Sequence, residues 1–364
     1  MSREIRVLMV VPNLRVSNGV ATYAMNYYRH INHKSVHMDF VTYQNIESPY
    51  IKEIINDCNS VFVLPSIKHF IKHKKACRMI LEKGNYDILH NNSLMITYPL
   101  MKIAKDYVNV RILHSHSARL GETDFNEIRN KLFIPLLVKT ANHYAACSSK
   151  AAKTLFNNDN AIIIPNVIDA LQFKYNEEVR TTVRYSEKCE SKKVIGTVGR
   201  LTDAKNPFFA LDIIDKVLSR CKDTEYWWIG SGALDKEVKD KVIKMDNRDR
   251  VKLFGSRTDV DKLYQAMDLF FLPSKYEGFG IACLEAQASG LRCIVSEALP
   301  NEINVTGKVD FLSFHSPAEE WIGTIIRRLE AHNSRETDYR IINNSVFSVD
   351  NPDYGIEKVY REMI

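Results

Sequence analysis

Short apolar runs alternate along the chain with longer stretches in which apolar residues recur every three or four positions. The runs at 5–11, 38–42, 60–64, 86–90, 110–114, 143–147 and 161–164 predict strands. The patterns at 20–31, 67–83 and 130–141 predict helices. A polar stretch at 176–192 shows no clear apolar period. The alternation then restarts, with strands predicted at 194–198, 226–229, 251–254, 269–272 and 293–295 and helices at 207–220, 233–245 and 281–288. Repeated βα alternation implies parallel sheets covered on both faces. The expected architecture is α/β, with two doubly wound domains at 1–170 and 190–345.

Composition narrows the class. The 364 residues are 45% apolar and 26% charged, a soluble globular balance that buries substantial cores without disulfides or structural metals. No apolar run approaches the ~18–20 residues of a membrane span, and the opening MSREIRVLMVVPNLR does not read as a secretory leader. The seven cysteines are scattered and never in CxxC spacing, so they read as small buried hydrophobes in a reducing compartment. The expected location is cytoplasmic.

The net charge of +6 is unevenly placed. Residues 1–170 carry 21 Lys/Arg against 13 Asp/Glu, and the remainder 29 against 31. A basic N-terminal half fits an anionic partner such as nucleic acid, a membrane surface or a phosphorylated substrate, or ordinary surface variation.

Ligands of doubly wound domains bind beyond the carboxyl ends of the strands, so post-strand residues are the candidates for chemistry. After the first predicted strand comes Pro12–Gly19, whose glycine permits close approach of a phosphate or sugar to a helix N-terminus. The full GxGxxG nicotinamide fingerprint is absent. After 194–198 come Gly199-Arg200-Leu201 and Lys205-Asn206-Pro207, two cations placed to clamp a diphosphate or simply solvated in a loop. After 269–272 comes Ser274-Lys275-Tyr276-Glu277-Gly278-Phe279-Gly280-Ile281, then Glu285. Carboxylates accept hydrogen bonds from paired sugar hydroxyls, and the glycines bring amides near an anionic or hydroxylated ligand. A glycosidase carboxylate pair is a competing reading of the two glutamates, but leaves the Arg/Lys loop unexplained.

Glu277-Gly-Phe-Gly-Ile-Ala-Cys-Leu-Glu285 resembles the E-x7-E signature of retaining GT-B glycosyltransferases, particularly glycosyltransferase family 4. The Gly199-Arg200-Leu201 and Lys205-Asn206 loop, the turn Pro165-Asn166-Val167-Ile168-Asp169, Gly230-Ser231-Gly232 and Phe254-Gly255-Ser256 match that family in order from about residue 5 to 300. Met25–His30 and Ala146–Ser149 look most like capsule and exopolysaccharide transferases. The resemblance implies two facing Rossmann-like domains with an interdomain cleft. The first would bind acceptor and the second the nucleotide-sugar donor, with a C-terminal helix at 352–364 packing back on the first.

It also implies roles. Arg200 and Lys205 would hold the donor diphosphate, Glu277 the hydroxyls of the transferred sugar, and Glu285 the ribose. Gly280 and Ile281 would offer backbone amides, Gly19 would approach the donor phosphate, and Ser256 and Arg257 would lie near the base. His114 and His116 share one face of a strand, and the family places a histidine beside the reacting sugar. His116, further beyond the strand, is the favoured candidate; one packed and one backbone-bonded histidine is the structural alternative. The implied reaction is metal-independent hexosyl transfer, with retention, from a UDP-sugar to a glycan or polyprenyl-diphosphate-linked acceptor in surface polysaccharide synthesis. Alternatives on the same fold are a sugar-nucleotide epimerase and a non-catalytic partner subunit. Asp259-Val260-Asp261 reads as helix-start chemistry rather than a metal-binding DxD. The segment 67–83 has five Lys/Arg and no acid between Lys68 and Leu81. It fits a basic amphipathic helix on an anionic membrane surface, which favours a lipid-linked acceptor on the inner face of the cell membrane over nucleic acid, or it is an ordinary surface helix. Departures from the family pattern, Leu291-Arg292-Cys293 and Ala298–Glu302, border the implied sugar pocket.

Overall fold

The computed structural model describes residues 3–121, 124–157, 160–331, 334–336, 338–351 and 355–364. The chain divides into two compact units, Met1–Val167 with Val349–Ile364, and Ile168–Ser348. The segment 168–190 thus groups with the second unit.

The first unit has strands β1 (Ile5–Val10), β2 (Val36–Thr42), β3 (Val61–Val63), β4 (Ile88–Asn91), β5 (Val110–Ser115), β6 (His143–Ala146) and β7 (Ile162–Ile163). All pair in parallel, in the order β3-β2-β1-β4-β5-β6-β7. Its helices are α1 (Gly19–His30), α2 (Pro49–Asn56), α3 (Phe70–Gly84), α4 (Tyr98–Ala104), α5 (Asp124–Val138) and α6 (Ser149–Phe156). Cys77 and Leu81 of α3, Leu100 and Met101 of α4, and Leu137 of α5 join Leu8, Leu89 and Leu113 of the sheet in one core. These three helices therefore cover one sheet face and turn their remaining sides outward.

The second unit has helices α7 (Glu177–Ser186), α8 (Pro207–Arg220), α9 (Asp235–Ile243), α10 (Val260–Ala266), α11 (Ile281–Ala288), α12 (Ala318–Glu330) and α13 (Asp338–Asn343). They accompany strands β8 (Lys193–Val198), β9 (Thr224–Ile229), β10 (Val251–Gly255), β11 (Leu269–Leu272), β12 (Arg292–Ser296) and β13 (Val309–Leu312). These strands are also parallel, in the order β10-β9-β8-β11-β12-β13. Every residue of β9 and β11 is buried, and Trp228, Phe271 and Trp321 centre the core. The last helix, α14 (Ile356–Met363), belongs to the first unit, and the predicted helix residues 352–354 lie outside the described residues.

Two expectations change. Within the polar stretch 176–192 lies α7, a helix held by charge rather than by an apolar stripe. Arg180 donates to the carbonyls of Gln265 and Met267 at 2.9 Å and to Asp268 Oδ1 at 2.6 Å. Arg184 donates to Ala266 O at 2.7 Å and to Asp268 Oδ2 at 3.2 Å. Arg335 adds bonds to the carbonyls of Tyr264, Gln265 and Met267. Three guanidinium groups thus satisfy the carbonyls that α10 leaves open at its C-terminus, where the helix dipole also favours cations. Among the cysteines, Cys58 is exposed and Cys221 partly so, while the other five are buried thiols.

Asp268 anchors this arrangement, since it also accepts from the amide of Val194 at 2.7 Å. Asp268→Asn leaves two largely buried guanidinium groups without their counter-charge. We expect a loss of about 2–3 kcal/mol in urea unfolding, with a loss below about 0.5 kcal/mol refuting the role.

Candidate active site

In the second unit β8 and β11 lie side by side although 70 residues of chain separate their ends. This is the topological switch point of the sheet, where the loops diverge and open a crevice. The loop after β8 carries Gly199, Arg200 and Lys205; the loop after β11 carries Ser274, Glu277 and Gly280. The amide of Lys275 donates to Ala204 O at 2.8 Å, tying the two loops together. The Lys205 ammonium pairs with Glu277 Oε1, and Ser274 Oγ donates to the same oxygen at 2.8 Å. Both side chains are mostly sheltered, at 18% and 10% exposure, so the pair is not a solvated surface bridge.

Glycines make this packing possible. A Cβ at Gly230 would stand 2.1 Å from Gly199 O, and one at Gly232 would stand 2.1 Å from Leu201 O. The Gly230-Ser231-Gly232 turn therefore backs the Arg200 loop from the neighbouring strand. Gly280, at φ +97°, opens α11 in the left-handed region, and a Cβ there would stand 2.9 Å from Leu299 Cδ2. Ile281 is the first residue of α11, and Glu285 lies on its second turn. Tyr264 Oη lies 3.0 Å from Glu285 Oε2. Burial pushes the Glu285 carboxyl up to about 7, against the pull of the Tyr264 hydroxyl, with nearby Asp261 adding to the rise.

The structure brings Lys205, Glu277 and the start of α11 into one pair of loops and leaves Arg200 exposed just after β8. Ser256 is exposed immediately after β10. Arg257 is engaged with Asp259, which its Nε and Nη2 reach at 2.8 and 2.7 Å. Asp259 stands at the start of α10 as expected, but its carboxylate takes Arg257 instead of capping the helix amides.

In the first unit the corresponding switch point lies between β1 and β4. Gly19 begins α1, whose amides at Val20 and Ala21 are capped by Asn18 Oδ1 at 2.9 and 3.4 Å. A Cβ at Gly19 would meet nothing within 4 Å, so the fold does not itself demand glycine there. His114 is buried one residue before the end of β5, and His116 sits just beyond the strand and is half-buried. Their rings stack at 4.0 Å. His116 Nε2 lies 2.8 Å from Asn92 Oδ1, and His114 Nδ1 lies 2.9 Å from His90 Nε2 and 3.2 Å from Tyr23 Oη. Burial pushes His90 and His116 down to about 3 and His114 downward as well, so the cluster is neutral at pH 7. Among the described residues no group of three or more His, Cys, Asp or Glu is placed to hold a metal ion.

Residues 179–345 match the family described as Glycosyl transferases group 1. These residues belong to the group 1 glycosyltransferases. The chain is 28% identical over 346 residues to the putative glycosyltransferase EpsF of Bacillus subtilis, covering 91% of this chain and 89% of that protein. It is 27% identical over 296 residues to the UDP-Gal:alpha-D-GlcNAc-diphosphoundecaprenol alpha-1,3-galactosyltransferase of Escherichia coli, covering 74% and 72% of the two chains. The crystal structure of Anabaena Alr3699/HepE in complex with UDP and glucose superposes with a TM-score of 0.77 at 15% identity, covering 99% of each chain. The fold is GT-B and the chain is a glycosyltransferase. The family match contains every candidate of the second unit, from Arg200 to Glu285.

Sequence reasoning overlooked Tyr264, His90, Asn92, Tyr23 and Tyr360. Asn92 and His90 were open to the same strand-end rule that found His114, because they flank Asn91, the last residue of β4, at the switch point. Tyr264 and Tyr360 are helix residues 21 and 270 positions from their partners, and no local pattern marks them.

The Glu285 shift makes the glycosyltransferase pH-sensitive in a defined direction. A carboxyl that binds its proton more tightly folded than unfolded destabilises the fold as pH rises from about 4.5 to about 7. Glu285→Gln removes this term. Its stability relative to the unsubstituted protein should therefore rise by about 3 kcal/mol between pH 4 and pH 8, measured by urea unfolding across that range. A difference independent of pH would refute the shift.

Proposed function

We propose that this glycosyltransferase moves a hexose, with retention of anomeric configuration, from a UDP-sugar to a lipid-linked saccharide in surface polysaccharide synthesis. The observation that carries the reading is the switch point at β8 and β11, where Lys205, Glu277 and the start of α11 stand together beside Arg200. Lys205 and Glu277 neutralise one another. A diphosphate would draw the Lys205 ammonium and the Arg200 fork, releasing the Glu277 carboxylate to accept from sugar hydroxyls. Amides at Gly280 and Ile281 and the α11 dipole add stabilisation to the developing phosphate charge. Glu285 takes the ribose, Ser256 and Arg257 lie near the base, and Gly19 is the glycine of close phosphate approach.

The bond from the anomeric carbon to the β-phosphate oxygen breaks as the acceptor oxygen bonds to the same face of that carbon. The acceptor's proton passes to the departing phosphate oxygen, so no separate general base is needed. The reading assigns the diphosphate charge to Arg200, Lys205 and α11 without a metal, and assigns His116, with His114, to the reacting sugar. Two named proteins support the donor and acceptor classes: a structure holding UDP and glucose, and a relative acting on a diphosphoundecaprenol-linked sugar.

The test is incubation with UDP-hexoses, with and without a polyprenyl-diphosphate-linked saccharide. The expected product is the acceptor extended by an α-linked hexose, with Glu277→Ala lowering kcat at least 100-fold. A β-linkage from the α-donor overturns retention, and free epimerised donor overturns transfer.

The lipid-linked part of the reading rests on the outer side of α3–α5. No helix of the described residues is long and apolar enough to cross a membrane. Ile71 is 84% exposed on α3, and Ile128 and Leu132 are 71% and 72% exposed on α5. Exposed Lys68, Lys72, Lys75 and Arg78 surround the first, and Lys131 and Lys139 flank the second. Apolar side chains amid cations match an anionic bilayer surface, to which each cation adds about 1 kcal/mol. The protein should sediment with vesicles containing phosphatidylglycerol and not with phosphatidylcholine alone. Combined Ile71→Glu and Lys72→Glu should abolish this; equal sedimentation with both vesicles, or with neither, would refute the surface.

A further inference from the structure

The histidine cluster of the first unit extends to the C-terminal helix. Tyr360 Oη, on α14, lies 2.7 Å from His90 Nδ1, and His90 Nε2 lies 2.9 Å from His114 Nδ1. Tyr23 Oη reaches the same Nδ1 of His114 at 3.2 Å. All four side chains are buried. His114 Nε2 is buried with no hydrogen-bond partner among the described residues.

We infer that Tyr360, acting through His90, fixes the proton of His114 on Nε2, so that the C-terminal helix sets which ring atom of the site histidine donates a hydrogen bond. The argument is an accounting of hydrogens. The three rings are neutral, so each has one N–H and one bare nitrogen. If Tyr360 donates to His90 Nδ1, then His90 carries its proton on Nε2 and donates to His114 Nδ1. That bond takes the single lone pair of His114 Nδ1, so His114 keeps its proton on Nε2. The reverse chain would run from His114 Nδ1–H to His90 Nε2 and from His90 Nδ1–H to Tyr360. The Tyr360 hydrogen would then lose this acceptor inside the core, an unmade buried bond that the first chain avoids.

His116 is fixed separately. The Asn92 amide nitrogen faces the carbonyls of Val10 and His90, at 3.1 and 3.2 Å, so its oxygen must face His116 Nε2. His116 therefore carries its proton on Nε2. Tyr360, His90 and Asn92 are positioning residues in this arrangement.

Nitrogen-15 NMR of the full chain labelled at its histidine rings tests it. Wild type should show His90, His114 and His116 each protonated at Nε2 at pH 7. Tyr360→Phe removes one hydroxyl from a retained ring and should keep the thermal midpoint within a few degrees. It should move proton population to Nδ1 at His90 and His114 while His116 keeps its wild-type signals. An Nδ1–H tautomer at His114 in wild type, or unchanged His90 and His114 signals in Tyr360→Phe, overturns the inference. If Tyr360→Phe unfolds, Tyr360→Trp and the wild-type tautomers decide by the same criteria. The readout needs no substrate, so it stands or falls independently of the transfer reaction.

Discussion

Burial of parallel sheets from both sides is the constraint on which the rest depends. With β9 and β11 wholly enclosed, their backbones are satisfied by neighbouring strands and their side chains by the core. Polar side chains then have few places to work except beyond the carboxyl ends of strands. Strand order fixes where two such ends part. In the second unit that is β8 and β11, and in the first it is β1 and β4. Lys205 and Glu277 lie at the former, Gly19 and Asn92 at the latter.

The same burial sets the electrostatics. Desolvation lifts Glu285 to about 7 and lowers His90 and His116 to about 3, in each case favouring the neutral form. Where charge persists it is paired or capped: Lys205 with Glu277, Asp268 with two arginines, Arg335 among carbonyls of the α10 C-terminus. The two units thus carry different kinds of site. One pairs opposite charges between two loops at its strand ends. The other keeps neutral imidazoles whose usefulness depends on proton placement.

What could be read in the chain follows from range. Strands such as 269–272 and helices such as 207–220 announce themselves because their apolar period is local. The loop motifs were legible because strand ends and glycines are sequential neighbours of the chemistry they serve. The polar helix α7 was not, because its anchor is Asp268, more than 80 residues away. The pairing of Arg257 with Asp259 was short-range yet missed, since acidic residues at a helix start ordinarily serve as caps. Tyr360 was the least legible, because nothing near position 360 hints at a partner at His90.

The excess positive charge of residues 1–170 can now be located. It does not reside at His90, His114 and His116, where burial favours the neutral form, and Arg200 and Lys205 belong to the other unit. About half of it stands on α3, where Lys72, Lys74, Lys75, Arg78 and Lys83 outnumber Glu82 beside exposed Ile71. A soluble anion would be met by a concave cluster of paired donors. Cations spread along the outer side of neighbouring helices and interleaved with exposed aliphatic side chains fit an extended anionic surface with an apolar interior. Charge and apolar exposure are each unremarkable in isolation, and it is their coincidence on α3, continued by exposed Ile128 and Leu132 on α5, that supports the lipid surface proposed above.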